Sequence, residues 1–175
     1  MNRHFNVAPW PTSLKLFSFL GTTGLIIASY AAYRAIPTLS GFTHNFGLCV
    51  ALVPLLLLIG CLDFIVSGYT VGPKELSVHR LLTLTTVPLT GLERAWADPA
   101  ACKGSFRVYG NGGLFSFTGR FYNKRLGSYR AFVTDFHNAI VLKFHDRVVV
   151  ISPAAPRAFL NHLHHIFPDL KVGDE

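Results

Sequence analysis

The sequence predicts an α-helical membrane hairpin followed by a mainly-β small barrel or sandwich, capped by one C-terminal α-helix. Three observations carry this: two long charge-free stretches before residue 67, short alternating apolar segments after it, and an apolar pattern of helical period near the C-terminus. Half of the 175 residues are hydrophobic and mean hydropathy is +0.38, whereas only 14% are charged. An ordinary soluble domain carries about 25% charged residues. The deficit is local. Before residue 67 the basic residues are Arg3, Lys15 and Arg34, and the one acid is Asp63. From Ser67 onward thirteen Lys and Arg face eight Asp and Glu, a formal +5, which suits an anionic neighbour such as a lipid leaflet or a nucleic acid.

Residues 1–15 read as a polar, proline-flanked tail, with Trp10 of the type found at headgroup level. The eighteen residues 16–33 carry no charge. As a helix they cover about 27 Å, close to the roughly 30 Å of bilayer hydrocarbon, so the first span is expected at about 16–34. A secretory leader is the competing reading, with Ser29-Tyr30-Ala31-Ala32 as its cleavage site. Residues 36–41 break the helix, and a second span is expected at about 45–66, with Pro54 inside it and Asp63 at its end. The connection carries Arg34 alone, while Arg3, Lys15, Lys74 and Arg80 flank the other ends. The positive-inside tendency therefore predicts an integral inner-membrane protein with both termini cytoplasmic.

After Ser67-Gly68 the period changes from helix to strand. Strands are predicted at 69–71, 75–82, 84–88 and 92–96, with Gly72-Pro73 turning between the first two; in the second, Leu76, Val78 and Arg80 share one face. Two more are predicted at 139–144 and 147–151. Ser152-Pro153 then resembles a helix start, and Ala158, Leu160, Leu163, Ile166 and Phe167 recur on one helical face. The domain is expected to occupy 67–167, with a tail at 168–175.

Between these lies the most unusual stretch, 110–135, GNGGLFSFTGRFYNKRLGSYRAFVTD. Tyr109-Gly110-Asn111-Gly112-Gly113 reads as a turn. Strands are predicted at 114–121 and 128–134, as a hairpin whose Phe115, Phe117 and Phe121 face the core and whose Arg120 faces outward. The run GNGGLFSFTGRF, the RAFVTD that follows and VVVISPAAPRAF further on resemble the small bacterial membrane proteins that carry a pleckstrin-homology (PH)-like domain. The likeness covers about 69–167. It implies two spans ahead of one PH-like domain and names no activity. Phosphoinositide-binding members of the wider superfamily use several basic residues around the first hairpin loop. Here that loop, 71–74, is short and holds only Lys74. Ser116 stands where the family's aromatic-glycine strand leads one to expect glycine.

Candidate chemistry is sparse. Lys103, Arg107, Arg120, Lys124, Arg125 and Arg130 occur with no acid between them and are the candidate lipid- or anion-binding residues. His162, His164 and His165 lack further ligands at fixed spacing and read as a solvated helix face. Asp135 with His137 and Asn138 reads as turn chemistry. Cys49, Cys61 and Cys102 form no CxxC pair and read as reduced thiols. The chain has no GxSxG, P-loop or HExxH sequence, so catalysis, metals and cofactors are not expected. Aromatic rings interleaved with arginine suggest single-stranded nucleic acid, but alternation turns most rings inward. The expected partners are the bilayer itself and an unidentified protein or a second copy, with neither nucleic acid nor a small-molecule substrate. The expected function is a non-catalytic membrane-anchored interaction module; the alternative is an anionic-lipid sensor using its basic face.

Overall fold

The computed structural model describes residues 2–36 and 40–173. Two helices come first among the large elements, α1 (Thr12–Ala35) and α2 (Phe42–Leu62). Both are long and apolar enough to cross a membrane. Large apolar side chains along them, among them Phe17, Phe19, Leu52 and Leu56, stay more than half exposed, so the rest of the chain does not cover them as it would cover core helices. They meet each other: the Ser29 hydroxyl donates to the Ala51 carbonyl at 2.6 Å. Part of the predicted connection, 37–39, lies outside the described residues. The second helix ends at Leu62, four residues before the expected boundary, because Val66 already begins a strand.

The remaining elements are β1 (Arg3–Asn6), β2 (Val66–Val71), β3 (Glu75–Arg80), β4 (Leu84–Pro88), β5 (Leu92–Ala97), β6 (Phe106–Gly112), β7 (Phe117–Asn123), β8 (Gly127–Val133), β9 (Ile140–Phe144), β10 (Val148–Ile151), α3 (Pro156–Ile166) and β11 (Lys171–Val172). They make two sheets, β1-β2-β3-β4 and β11-β5-β9-β10-β8-β7-β6, which do not close into a barrel. The core between them is built from Tyr69, Val71, Leu76, Val78, Phe132, Ile140, Leu142 and Phe144, with Phe159 and Leu163 of α3 plugging one end. A second apolar cluster, with Trp96, Ala101, Phe121, Tyr129 and Val141, covers the other face of the larger sheet.

Several expectations are corrected. The stretch 1–15 is no tail: β1 pairs antiparallel with β2, Phe5 opposite Tyr69, and Phe5 is buried against Phe159. Ala8 is fully buried; its N–H donates to Ser152 O, and its carbonyl accepts from the Thr134 hydroxyl, both at 2.8 Å. Likewise Lys171–Val172, in the expected C-terminal tail, adds a short parallel strand to β5. Ser152 does not cap α3. Its side chain accepts from Thr134 N–H at 2.8 Å and its N–H donates to the Tyr69 hydroxyl, which in turn donates to Phe132 O at 2.6 Å. Burial pushes the Tyr69 pKa up to about 12. Since Ser152 is tied into this buried junction, the helix begins one proline later, with Pro156 in its first turn. His162 also departs from the solvated face, lying 5.8 Å from the Phe5 ring, where burial first and the Arg3 charge next lower its pKa.

The central hairpin forms, displaced from its expected bounds. Residues 109–112, predicted as a turn, belong to strand β6, and the chain reverses at 113–116 instead. Asn111 makes this possible. Its side-chain oxygen accepts from Leu114 N–H at 3.1 Å and its amide donates to Leu114 O, replacing strand bonds that the turn cannot make. Phe117 and Phe121 then point into the second cluster, and Arg120 toward the gap between the sheets. Ser116, where a glycine was expected, is fully buried and donates to Phe64 O at 2.5 Å. Close backbone approach occurs instead at the cross-strand pair Gly110 and Gly119.

Candidate anion site at the open edge of the sandwich

The smaller sheet ends at β4, while the larger one continues through β8, β7 and β6. Between the end of β3 and the strands β6, β7 and β8 lies a cavity of about 530 Å³, lined by Phe64, Arg80, Tyr109, Thr118, Arg120 and Arg130 among others. Phe64 comes two residues after α2, so the cavity opens beside the end of the second apolar helix. The hydroxyls of Ser116 and Thr118 donate to Phe64 O and hold the hairpin against this exit.

Three arginines converge there for separate reasons. Arg80 ends β3, on the face where Leu76 and Val78 enter the core; its side chain is largely covered, and Nε is buried without an acceptor. Arg120 and Arg130 are direct cross-strand partners on β7 and β8. The guanidinium groups of Arg130 and Arg80 lie 4.8 and 5.7 Å from the Phe132 ring. Like charges set opposite one another in a ladder are unfavourable. Accordingly the Arg130 pKa is lowered, by burial first and then by the charges of Arg80 and Arg120. Among the described residues the carboxylate bonded to the group is Asp63, whose Oδ2 accepts from Arg80 Nη1 at 3.3 Å while its Oδ1 accepts from Thr83 at 2.7 Å. Three cations against one anion leave a local surplus of two charges. Planar guanidinium donors are suited to phosphate or carboxylate oxygens, often two at a time.

The six sequence candidates divide. Arg120 and Arg130 belong to this site. Arg107 lies across the sheet face from it, donating to Gly110 O at 3.2 Å. Lys124 and Arg125 are in the β7–β8 turn, at the end of the hairpin away from the helices, and Arg125 pairs with Asp98 at 2.7 Å. Lys103 sits in the neighbouring loop, which Asn123 fastens to that turn through Ala101 O at 2.8 Å. Arg80 was not among the candidates. Its signal was present: a cation on the apolar face of an alternating strand must find an anion or an aromatic partner.

Another cavity of similar size, about 570 Å³, sits at the β11 edge, where Glu93 stands beside Arg94, Lys143 and Lys171 and the charge surplus is the same, but neither long helix lines it. Among the described residues no three His, Cys, Asp or Glu side chains gather where a metal ion would be held.

A pair of apolar helices leading into a two-sheet sandwich with one closing helix defines a PH-like module carried behind two candidate membrane spans. The family described as "Bacterial PH domain" matches residues 67–166, more than half of the chain, and the chain belongs to that family. No curated protein and no solved structure matches it.

Proposed function

We propose that this chain is a non-catalytic PH module anchored by α1 and α2 in the cytoplasmic membrane, with both termini in the cytoplasm, and that its open edge holds the phosphate of an anionic lipid headgroup from the adjacent leaflet. The observation that carries this reading is the convergence of Arg80, Arg120 and Arg130 on a cavity beside Phe64, just past the end of α2. An anion there relieves the repulsion between the arginines and supplies the acceptor that Arg80 Nε lacks. Bacterial PH membership supports a binding role over a catalytic one.

The test uses the full-length protein in neutral detergent micelles titrated with phosphatidylglycerol, with phosphatidylcholine and inorganic phosphate as separate arms. Phosphatidylglycerol is expected to raise the thermal midpoint and phosphatidylcholine to leave it unchanged; a response to inorganic phosphate alone would assign the site to a soluble anion. Charge-assisted hydrogen bonds contribute about 1.5–3 kcal/mol each, so Arg120→Gln with Arg130→Gln is expected to weaken the response at least about tenfold. Lys124→Gln with Arg125→Gln is expected to leave it unchanged, since those residues lie at the far end of the hairpin. Equal loss in both double variants would overturn the assignment.

A second reading, docking of a protein partner or a second copy, is favoured by β6. It ends the larger sheet, and Phe106, Val108 and Tyr109 on it are each more than half exposed. An edge of that kind can accept an added strand. Val108→Pro would remove a donor from the edge and is expected to abolish recovery of a protein partner, or of self-association, in a detergent pull-down of the full-length chain.

A further inference from the structure

The β3–β4 hairpin carries an apolar tip that the domain's own core does not explain. Leu81, Leu82 and Leu84 are exposed by 53%, 65% and 56%, although leucines at a hairpin turn on a soluble surface are ordinarily replaced by Gly, Asn or Asp. The register gives the tip its position. Val66 pairs with Arg80, so a chain running on past Arg80 draws level with residues 63–65, at the point where α2 has just ended. The tip is fastened there: Leu81 N–H donates to Ile65 O at 3.0 Å, Thr83 donates to Asp63 at 2.7 Å and Arg80 pairs with the same carboxylate.

A second tip flanks the other helix. The Phe115 N–H donates to the Ser18 hydroxyl at 2.8 Å, the Phe115 ring lies 6.1 Å from Trp10, and a Cβ on Gly21 would come within 2.8 Å of Leu114. Phe115 accepts a positive φ of 71° in this turn. Along α1, Ser18 and Gly21 lie roughly 9 and 14 Å from its first residue at 1.5 Å per residue. α1 is 24 residues long, and its roughly 36 Å exceeds the hydrocarbon thickness of about 30 Å by only a turn, so Leu114 reaches the apolar edge.

We infer that these two tips, Leu81-Leu82-Leu84 and Leu114-Phe115, are leaflet-inserting elements: they enter the boundary between headgroups and acyl chains on either side of the helical pair and hold the domain at a set depth. The occupant of this apolar surface is lipid. Continuity with the spans argues for it, because both tips are hydrogen-bonded to residues of α1 or of the α2 exit and cannot leave the membrane surface while the helices remain in it. The polar collar of Asp63, Arg80 and Thr83 at the base of the first tip falls at headgroup level, next to the arginine site. This inference rests on the proposed membrane anchoring and is independent of any anion bound by the arginines.

The test measures depth in the full-length protein, reconstituted in neutral phosphatidylcholine bilayers so that the arginine site plays no part. Cys49, Cys61 and Cys102 are replaced by Ala, and a nitroxide is attached to Leu82→Cys, to Leu52→Cys in the middle of α2, or to Lys124→Cys in the distal turn. Oxygen, which concentrates in lipid, and a water-soluble nickel chelate serve as relaxation probes. The label at position 82 is expected to favour oxygen severalfold over the label at 124, and to lie shallower than the label at 52. If 82 matches 124 while 52 reads as lipid, the insertion is overturned and the anchor stands. If 52 itself reads as water, anchor and insertion fall together.

Discussion

Phe5→Ala is expected to lower the stability of the full-length protein by about 3–5 kcal/mol, the range for emptying a buried aromatic site. The residue is seven positions before α1, in a stretch that composition assigns to a tail, yet it is 7% exposed and meets Phe159 edge-on at 5.0 Å. Its ring also supports His162, and the Arg3 guanidinium lies 5.1 Å from its centre. The cavity left by Ala would open between β1 and α3, where neither strand pairing nor helix can close inward without giving up its other contacts. For a domain of this size the thermal midpoint should fall by roughly 10 °C or more. Deleting residues 2–8 is expected to do more: it removes β1 altogether, exposes Tyr69 and Val71, and leaves Ser152 O and the Thr134 hydroxyl without the partners they find in Ala8. Differential scanning fluorimetry in detergent decides this, and a midpoint for Phe5→Ala within a degree or two of the parent would mean that β1 is not part of the sheet. A fragment starting near residue 67, where the family match begins, lacks an edge strand of its own sandwich.

Gly119→Ala is expected to cost about 3 kcal/mol or more, combining a strained backbone of roughly 1–3 kcal/mol with overpacking of similar size. Gly119 has φ +143°, and a Cβ there would overlap the Tyr109 carbonyl oxygen, which is backbone and cannot swing aside. Its cross-strand neighbour Gly110, at φ +107°, would likewise overlap Thr118 O. Gly127 supplies the control. Its φ is +68°, but no atom lies within 4 Å of the added carbon, so Gly127→Ala is expected to cost only about 1 kcal/mol through conformation alone. Because Gly119 precedes Arg120, the first variant should also weaken the response to anionic lipid, whereas the second should leave it intact. Near-equal midpoints for the two alanine variants would show that the β6–β7 pair is not packed as described.

Much of the site was visible in the residues but not assembled. Arg120 and Arg130 were among the candidates because they sit in a hairpin free of acids, and the alternation of β7 and β8 places them across from one another. Lys103, Arg107, Lys124 and Arg125 carry the same charge and drew the same inference, since a charge count holds no information about which end of a strand lies beside the long helices. Arg80 is the reverse case. It lies forty residues before Arg120 and fifty before Arg130, and only the pairing of β2 with β3, together with the divergence of the two sheets, brings it to them.

The sequence alone determined the two apolar helices, the change of period near residue 67, the central hairpin and the closing amphipathic helix. Each of these is written in local spacing, where burial of one face or of every face leaves a periodic record. Only the tertiary structure decided that residues 3–8 belong to the sandwich, that Ser152 is a buried junction and not a helix cap, and that the tip of the hairpin bears on α1 and the α2 exit. Those outcomes depend on hydrogen bonds between residues from eighteen to 126 positions apart. Partners at such separations leave no periodicity in either segment, because whether a polar group is satisfied depends on what the fold brings beside it and not on its neighbours along the chain.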